Sequence, residues 1–206
     1  MDALSVLLRL SEKHEPGPSP GFSREHAIMV FMTIGESGSI SRQALARNSG
    51  LGEGSVRTVL KKFRQEGYVG ADALGCHLTD SGKRAYRSIT KVLTPLVPIE
   101  GSRLSVGSSQ VAILVRSASE SVTSGIEQRD SAIRVGAAGA TTYIIRGRKF
   151  AIPGGSPDCE RDFPSPTWTE LRKELGPVDS DAVIICGAET EVKARLGALA
   201  AALTLV

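Results

Sequence analysis

Glu53-Gly54-Ser55-Val56-Arg57-Thr58-Val59-Leu60-Lys61-Lys62-Phe63-Arg64-Gln65-Glu66 carries two chemistries on one period. Val56, Val59, Leu60 and Phe63 recur at spacings of three and four, the stripe that an amphipathic helix turns toward a core. At about 100° per residue, Gly54, Thr58, Lys61 and Gln65 point directly away from Val56, with Ser55, Arg57 and Lys62 on the flanks. Gly67 follows as a helix stop. The outward face is therefore basic and polar, and such a helix fits a major groove about 12 Å wide.

Upstream, Ser23 is placed to cap a helix through Ile28, Phe31, Met32 and Ile34, closing near Gly35 and Gly38. Ser39-Ile40 reads as a one-bridge strand, and Ser41 then caps a short helix that stops at Asn48-Ser49-Gly50. Downstream, Tyr68-Val69 and Cys76-His77-Leu78 flank a turn and read as a hairpin, after which Thr79 caps a helix through Ala85, Tyr86, Ile89 and Leu93. Helix, small strand, helix, tight turn, helix, hairpin, helix is the order of a winged helix-turn-helix. In that frame Arg57 or Lys61 can donate to guanine edges, and Ser55 and Thr58 can reach bases or phosphates. Lys62, Arg64, Ser41 and Arg42 are better placed for phosphates, which position a protein without reading sequence. A solvated surface helix is the ordinary explanation of one basic face. Here the tight Gly50-Leu51-Gly52 turn, the hairpin and the restart at Leu78 to Gly82 all agree with a DNA reader.

Ser41 to Gly67, followed by Leu78-Thr79-Asp80-Ser81-Gly82, resembles the winged-helix domain of prokaryotic regulators of the multiple-antibiotic-resistance and related types. More narrowly, Pro16-Gly17-Pro18-Ser19-Pro20, Gly50-Leu51-Gly52-Glu53-Gly54-Ser55-Val56-Arg57-Thr58 and Gly75-Cys76 before Leu78-Thr79 are similar to an archaeal group of winged-helix proteins with an uncharacterised C-terminal domain. The resemblance covers about the first 90 residues and implies a transcriptional regulator. It departs at the wing: Tyr68 to Leu78 contains no Lys or Arg, and His77 is its one candidate cation. A helical, major-groove footprint is the expectation.

The whole chain has 206 residues, one large or two small domains at roughly 150 residues per domain. With 41% hydrophobic and 23% charged residues it is neither disordered nor fibrous. The net charge of +3 is too mild to announce a polyanion partner. Its distribution is more informative: residues 1–91 hold 13 Lys and Arg against 9 Asp and Glu, while 92–206 hold 12 against 13. The expected fold class is α+β. Residues 1–21 form an N-terminal helix and Pro/Gly connector, 22–97 the winged helix-turn-helix, 98–109 a linker and 110–206 a small mixed α/β domain.

In that second domain, Gln110 to Arg116 reads as a strand and Ser121 to Gln128 as a short helix. Ile133 to Val135 and Thr141 to Ile145 are β-rich, Arg146-Gly147-Arg148 turns into Lys149 to Ile152, and Ala182 to Cys186 is a buried strand. Helices are expected over Thr167 to Leu175 and Glu189 to Leu203. All three histidines lie in the first 77 residues, which disfavours imidazole catalysis or a histidine metal site here. Gly136-Ala137-Ala138-Gly139 is no dinucleotide fingerprint and Gly154-Gly155 no phosphate loop, so no cofactor, metal or catalytic residue is assigned. Two readings of Thr141, Thr142, Arg146, Arg148 and Lys149 stand side by side: a plain surface hairpin, or a site for a small anionic effector.

Three dispersed cysteines, with no CxxC, suggest neither disulfides nor zinc and fit a reducing cytoplasm. Leu4 to Leu10 is too short for a secretory signal and Ala198 to Val206 too short for a membrane span, so a soluble protein is expected. Double-stranded DNA is the expected partner. Leu4, Leu7, Leu8 and the helix Ala85 to Leu96 are apolar enough to suggest a homodimer with two half-sites. The alternatives are an enzyme acting on an anionic or nucleotide-like metabolite with a regulatory winged helix, and a protein-binding scaffold.

Overall fold

The computed structural model describes residues 3–11, 21–100 and 103–206, so the connector expected at Pro16 to Pro20 lies outside the described residues. The chain divides into two compact units, Met1–Thr90 and Lys91–Val206. In the first, α1 (Ala3–Arg9), α2 (Arg24–Ser37), α3 (Arg42–Ser49), α4 (Glu53–Gln65) and α5 (Asp80–Thr90) accompany three antiparallel strands. These are β1 (Ser39–Ile40), β2 (Val69–Asp72) and β3 (Gly75–Leu78), in the order β1-β3-β2. The sequence of elements is that of a winged helix-turn-helix.

The α4 stripe of Val56, Val59, Leu60 and Phe63 is buried, as its period requires. Phe31 of α2 meets Phe63 edge-on, with ring centroids 5.5 Å apart, and Tyr68 leans on Phe31 at 5.9 Å. Such pairs add about 0.5–1.5 kcal/mol beyond the area they bury. α1 packs on α2 and α5 and buries Leu7, so this leucine is spent inside the unit and not on a dimer contact. α5 starts where the Thr79 hydroxyl accepts the Gly82 N–H at 3.0 Å. A Cβ on Gly82 would stand 2.0 Å from the Tyr68 carbonyl oxygen, so only glycine lets the helix lie this close to the hairpin.

α2 begins with a reciprocal cap in which the Ser23 N–H donates to His26 Nδ1 at 3.2 Å. Accepting there requires the neutral ring, and burial lowers the His26 pKa below its ordinary 6.5. The unfolded chain therefore takes the proton more readily, and stability is expected to fall as the pH drops below about 6.5. His26→Gln should flatten that segment of a plot of melting temperature against pH. Glu25 contributes a separate loss below 4.5, because hydrogen bonds from Ser23 and Arg24 outweigh its burial and lower its pKa.

The second unit is a five-stranded antiparallel sheet covered on both faces. Its strands are β4 (Val97–Ile99), β5 (Ser109–Val115), β6 (Gly139–Arg146), β7 (Lys149–Ala151) and β8 (Ala182–Ala188), in the order β4-β5-β8-β6-β7. α6 (Ile126–Arg134) and α9 (Glu191–Ala202) pack on one face. α7 (Cys159–Asp162) and α8 (Thr167–Leu175) cover the other, where Trp168, Leu171 and Leu175 close over Ala112, Leu114, Val183 and Ile185. A two-residue turn, Gly147-Arg148, with both φ values positive, joins β6 to β7.

Three expectations are corrected. The helix expected through Leu96 ends at Thr90, and Leu93 bridges to Val115 of the second unit. The units therefore part at Thr90–Lys91 and not at 98–109, since Val97–Ile99 pairs with Gln110 to Ala112 as an edge strand. Ile133-Arg134-Val135, expected as a strand, lies at the end of α6. The helical period wins there because Gln128 and Ala132 are the inward residues while Ile133 is exposed.

Candidate nucleic-acid interface

α3, the turn Gly50 to Gly52 and α4 present the polar face that the sequence implied. Arg57, Thr58, Lys61 and Arg64 are exposed, and the three cations make no ion pair with any described residue. The Thr58 hydroxyl donates to the Gly54 carbonyl at 3.0 Å, which leaves its oxygen lone pairs outward. Ser41 is the N-cap of α3, its hydroxyl accepting the Ala44 N–H at 3.2 Å, and Arg42 stands exposed beside it. A Cβ on Gly54 would meet nothing within 4 Å, so the backbone of α4 at that position is open to solvent.

Two assigned residues are differently occupied. Lys62 is half-buried, and its ammonium donates to the Leu10 carbonyl and sits 5.7 Å over the Phe22 ring. It therefore ties α4 to the end of α1 and does not stand toward a phosphate. Ser55 is half-buried, close against Gly21. At the wing, His77 Nδ1 lies 3.3 Å from the Asp72 carboxylate, and the tip exposes Leu74, 80% accessible. A wing with no Lys or Arg, one imidazole beside a carboxylate and an apolar tip supplies no free cation for a minor groove.

The five residues read as an anion site are not brought together. Thr141 is half-buried and Thr142 buried, their side chains alternating to opposite faces of β6. Arg146, Arg148 and Lys149 are exposed on the hairpin, where Lys149 pairs with Asp158 at 2.7 Å. That hydrogen bond, joined by one from the Arg161 N–H, holds the Asp158 carboxyl below its usual range. The Arg148 N–H donates to Asp179 at 2.6 Å and its carbonyl accepts Arg172 at 2.7 Å. The surface-hairpin reading fits these contacts, and a converging anion site does not.

Among the described residues no three His, Cys, Asp or Glu side chains gather as a metal would need. Burial raises the Cys159 thiol and pushes that of Cys186 up to about 12, so neither is a ready nucleophile at neutral pH. No helix among the described residues is long and apolar enough to cross a membrane.

Sequence reasoning does not single out Asp181, a buried carboxylate of the second unit with three hydrogen-bond partners. Only 2% of its side chain is exposed, and it accepts from Arg116 Nη1 at 2.7 Å and from the N–H groups of Ser117 and Val178, each at 3.0 Å. Nothing around it in sequence announces this, because its main partner is 65 positions away.

Comparison with known proteins adds three findings. No curated protein matches the chain. Over 89% of its length the chain is similar to the solved structure of a hypothetical protein, PH0730 from Pyrococcus horikoshii OT3. The identity is 26%, the TM-score 0.72, and 92% of that archaeal chain is covered. Residues 106–205, within the second unit, match the family described as a domain of unknown function, DUF4443.

Proposed function

We propose that the first unit binds double-stranded DNA through α3 and α4, and that the protein is a transcriptional regulator whose second unit tunes that binding. The observation that carries this reading is the set of exposed cations Arg57, Lys61 and Arg64, unpaired with any described residue, on a helix whose opposite side is fully committed to the core. A helix anchored in that way presents its donors at fixed positions, which groove readout requires. Arg42 at the start of α3 extends the positive face toward one backbone strand. With the hairpin short of cations, affinity rests on the helices.

Gly54 gives a test that separates binding from folding. Its built Cβ is unopposed, so Gly54→Ala should raise stability by up to about 1 kcal/mol through helix propensity. In a docked complex the added methyl occupies space next to DNA, and duplex affinity should fall about tenfold. Thermal unfolding and fluorescence anisotropy on the same preparation read the two effects. A more stable variant with unchanged affinity would remove the first turn of α4 from the interface.

A further inference from the structure

The face of the second unit that carries α8 holds a cavity of about 620 Å³, within the usual range of small-molecule sites. Leu104, Tyr143 and Ile152 supply apolar lining, and Phe163, 53% exposed, contributes an aromatic edge. One wall is a strap: the Leu104 carbonyl accepts the hydroxyls of Thr141 at 3.1 Å and Tyr143 at 3.3 Å. The strap is held farther along at Gly187, where a Cβ would stand 1.6 Å from the Val106 carbonyl oxygen.

The polar complement of this cavity is selective. Glu100 and Arg103 both line it, both are exposed, and neither forms an ion pair with the other or with any described residue. Thr167, 3% exposed, accepts a hydrogen bond from Ser165 at 3.0 Å, while its own proton has no acceptor among the described residues. Thr141 and Tyr143 have used their protons on Leu104 and retain lone pairs. The cavity thus offers one cation, one anion, a buried hydroxyl donor and apolar walls.

We propose that this cavity binds a small zwitterion with an apolar body: an aromatic or long aliphatic α-amino acid, or a dipeptide of such residues. Arg103 would take the carboxylate, with the Thr167 hydroxyl as a second donor, and Glu100 the ammonium. A phosphorylated or nucleotide-like ligand is disfavoured because a dianion would face the Glu100 carboxylate with one cation to offset it. The apolar walls account for the body, since two charges alone need no cavity of this size.

The test is calorimetric titration of the full chain with phenylalanine, leucine and the dipeptide Phe-Phe. Phenylalaninamide lacks the carboxylate, N-acetylphenylalanine lacks the ammonium, and inorganic phosphate is the anion control. Saturable binding of a zwitterion is expected, with about tenfold loss when either charge is removed. Arg103→Gln should abolish the advantage of phenylalanine over phenylalaninamide, and Glu100→Gln its advantage over N-acetylphenylalanine. Both residues are exposed, so the variants are expected to fold, and circular dichroism verifies that. A preference for phenylalanine or for Phe-Phe decides between free amino acid and dipeptide. No saturable binding of any zwitterion at millimolar concentration, binding indifferent to both substitutions, or tighter binding of phosphate would each overturn the proposal. None of these outcomes depends on whether the first unit binds DNA.

Discussion

Replacing Arg57 and Lys61 together by alanine is expected to lower duplex-DNA affinity by about a hundredfold and to change stability by no more than about 0.5 kcal/mol. The small stability effect follows from exposure: neither side chain is paired with a described residue, and the core stripe on the other side of α4 is untouched. The large binding effect follows from position, since these are the two cations nearest the centre of the outward face. A salt titration shows what each one contacts. Every lost phosphate contact lowers the slope of log affinity against log salt by about 0.9. A lost bidentate guanine contact leaves the slope and removes about 1–3 kcal/mol of discrimination at one base pair. Unchanged affinity in a folded double variant would remove this face from the DNA-binding assignment.

Asp181→Ala is expected to destabilise the second unit by about 3–4 kcal/mol. The carboxylate joins the end of β5, through Arg116 and Ser117, to the turn before β8 at Val178. Arg116 in turn donates to the Gly176 carbonyl at 3.1 Å and sits by that of Leu175 at 3.4 Å, closing the end of α8. Alanine would leave two backbone N–H groups and part of a guanidinium without an acceptor, and each such loss costs about 1–3 kcal/mol. Asp181→Asn keeps one acceptor and should lose less. The single tryptophan, Trp168, is buried in this unit, so its fluorescence during urea unfolding reports the right transition. A loss below about 1 kcal/mol would show that the network is replaceable by water.

Where burial follows a short period, the fold was legible in the residues. Val56, Val59, Leu60 and Phe63 placed α4, and the span Thr167 to Leu175 is the span of α8. Local pattern failed where a distant partner decides. Ile133 and Val135 favour strands by branching, yet Ala132 faces Gly197 of α9, and that contact selects the helix. Leu93 extends the apolar period of α5, yet its partner is Val115. The same limit applies to the sites. The cations of α4 lie on one helix and were readable, whereas the cavity joins Glu100 and Arg103 to Thr141 and Thr167, which no spacing connects. The role of Lys62 is not legible in α4 alone, because its partners, Leu10 and Phe22, approach from outside the helix.

The two outer strands of the five-stranded sheet have a consequence for behaviour in concentrated solution. β5 and β8 are seven residues each and almost wholly buried, the kind of segment that templates cross-strand aggregation when it reaches a free border. Neither does. The sheet terminates in β4 and β7, three residues each, with Pro98 inside the first and the charged Lys149 opening the second. Proline removes a donor from one border, and at the other the half-exposed Lys149–Asp158 ion pair disfavours apposition of an apolar strand. Copies of this chain are thereby discouraged from annealing border to border into fibrils, and the seven-residue strands stay sequestered even where the chain is concentrated.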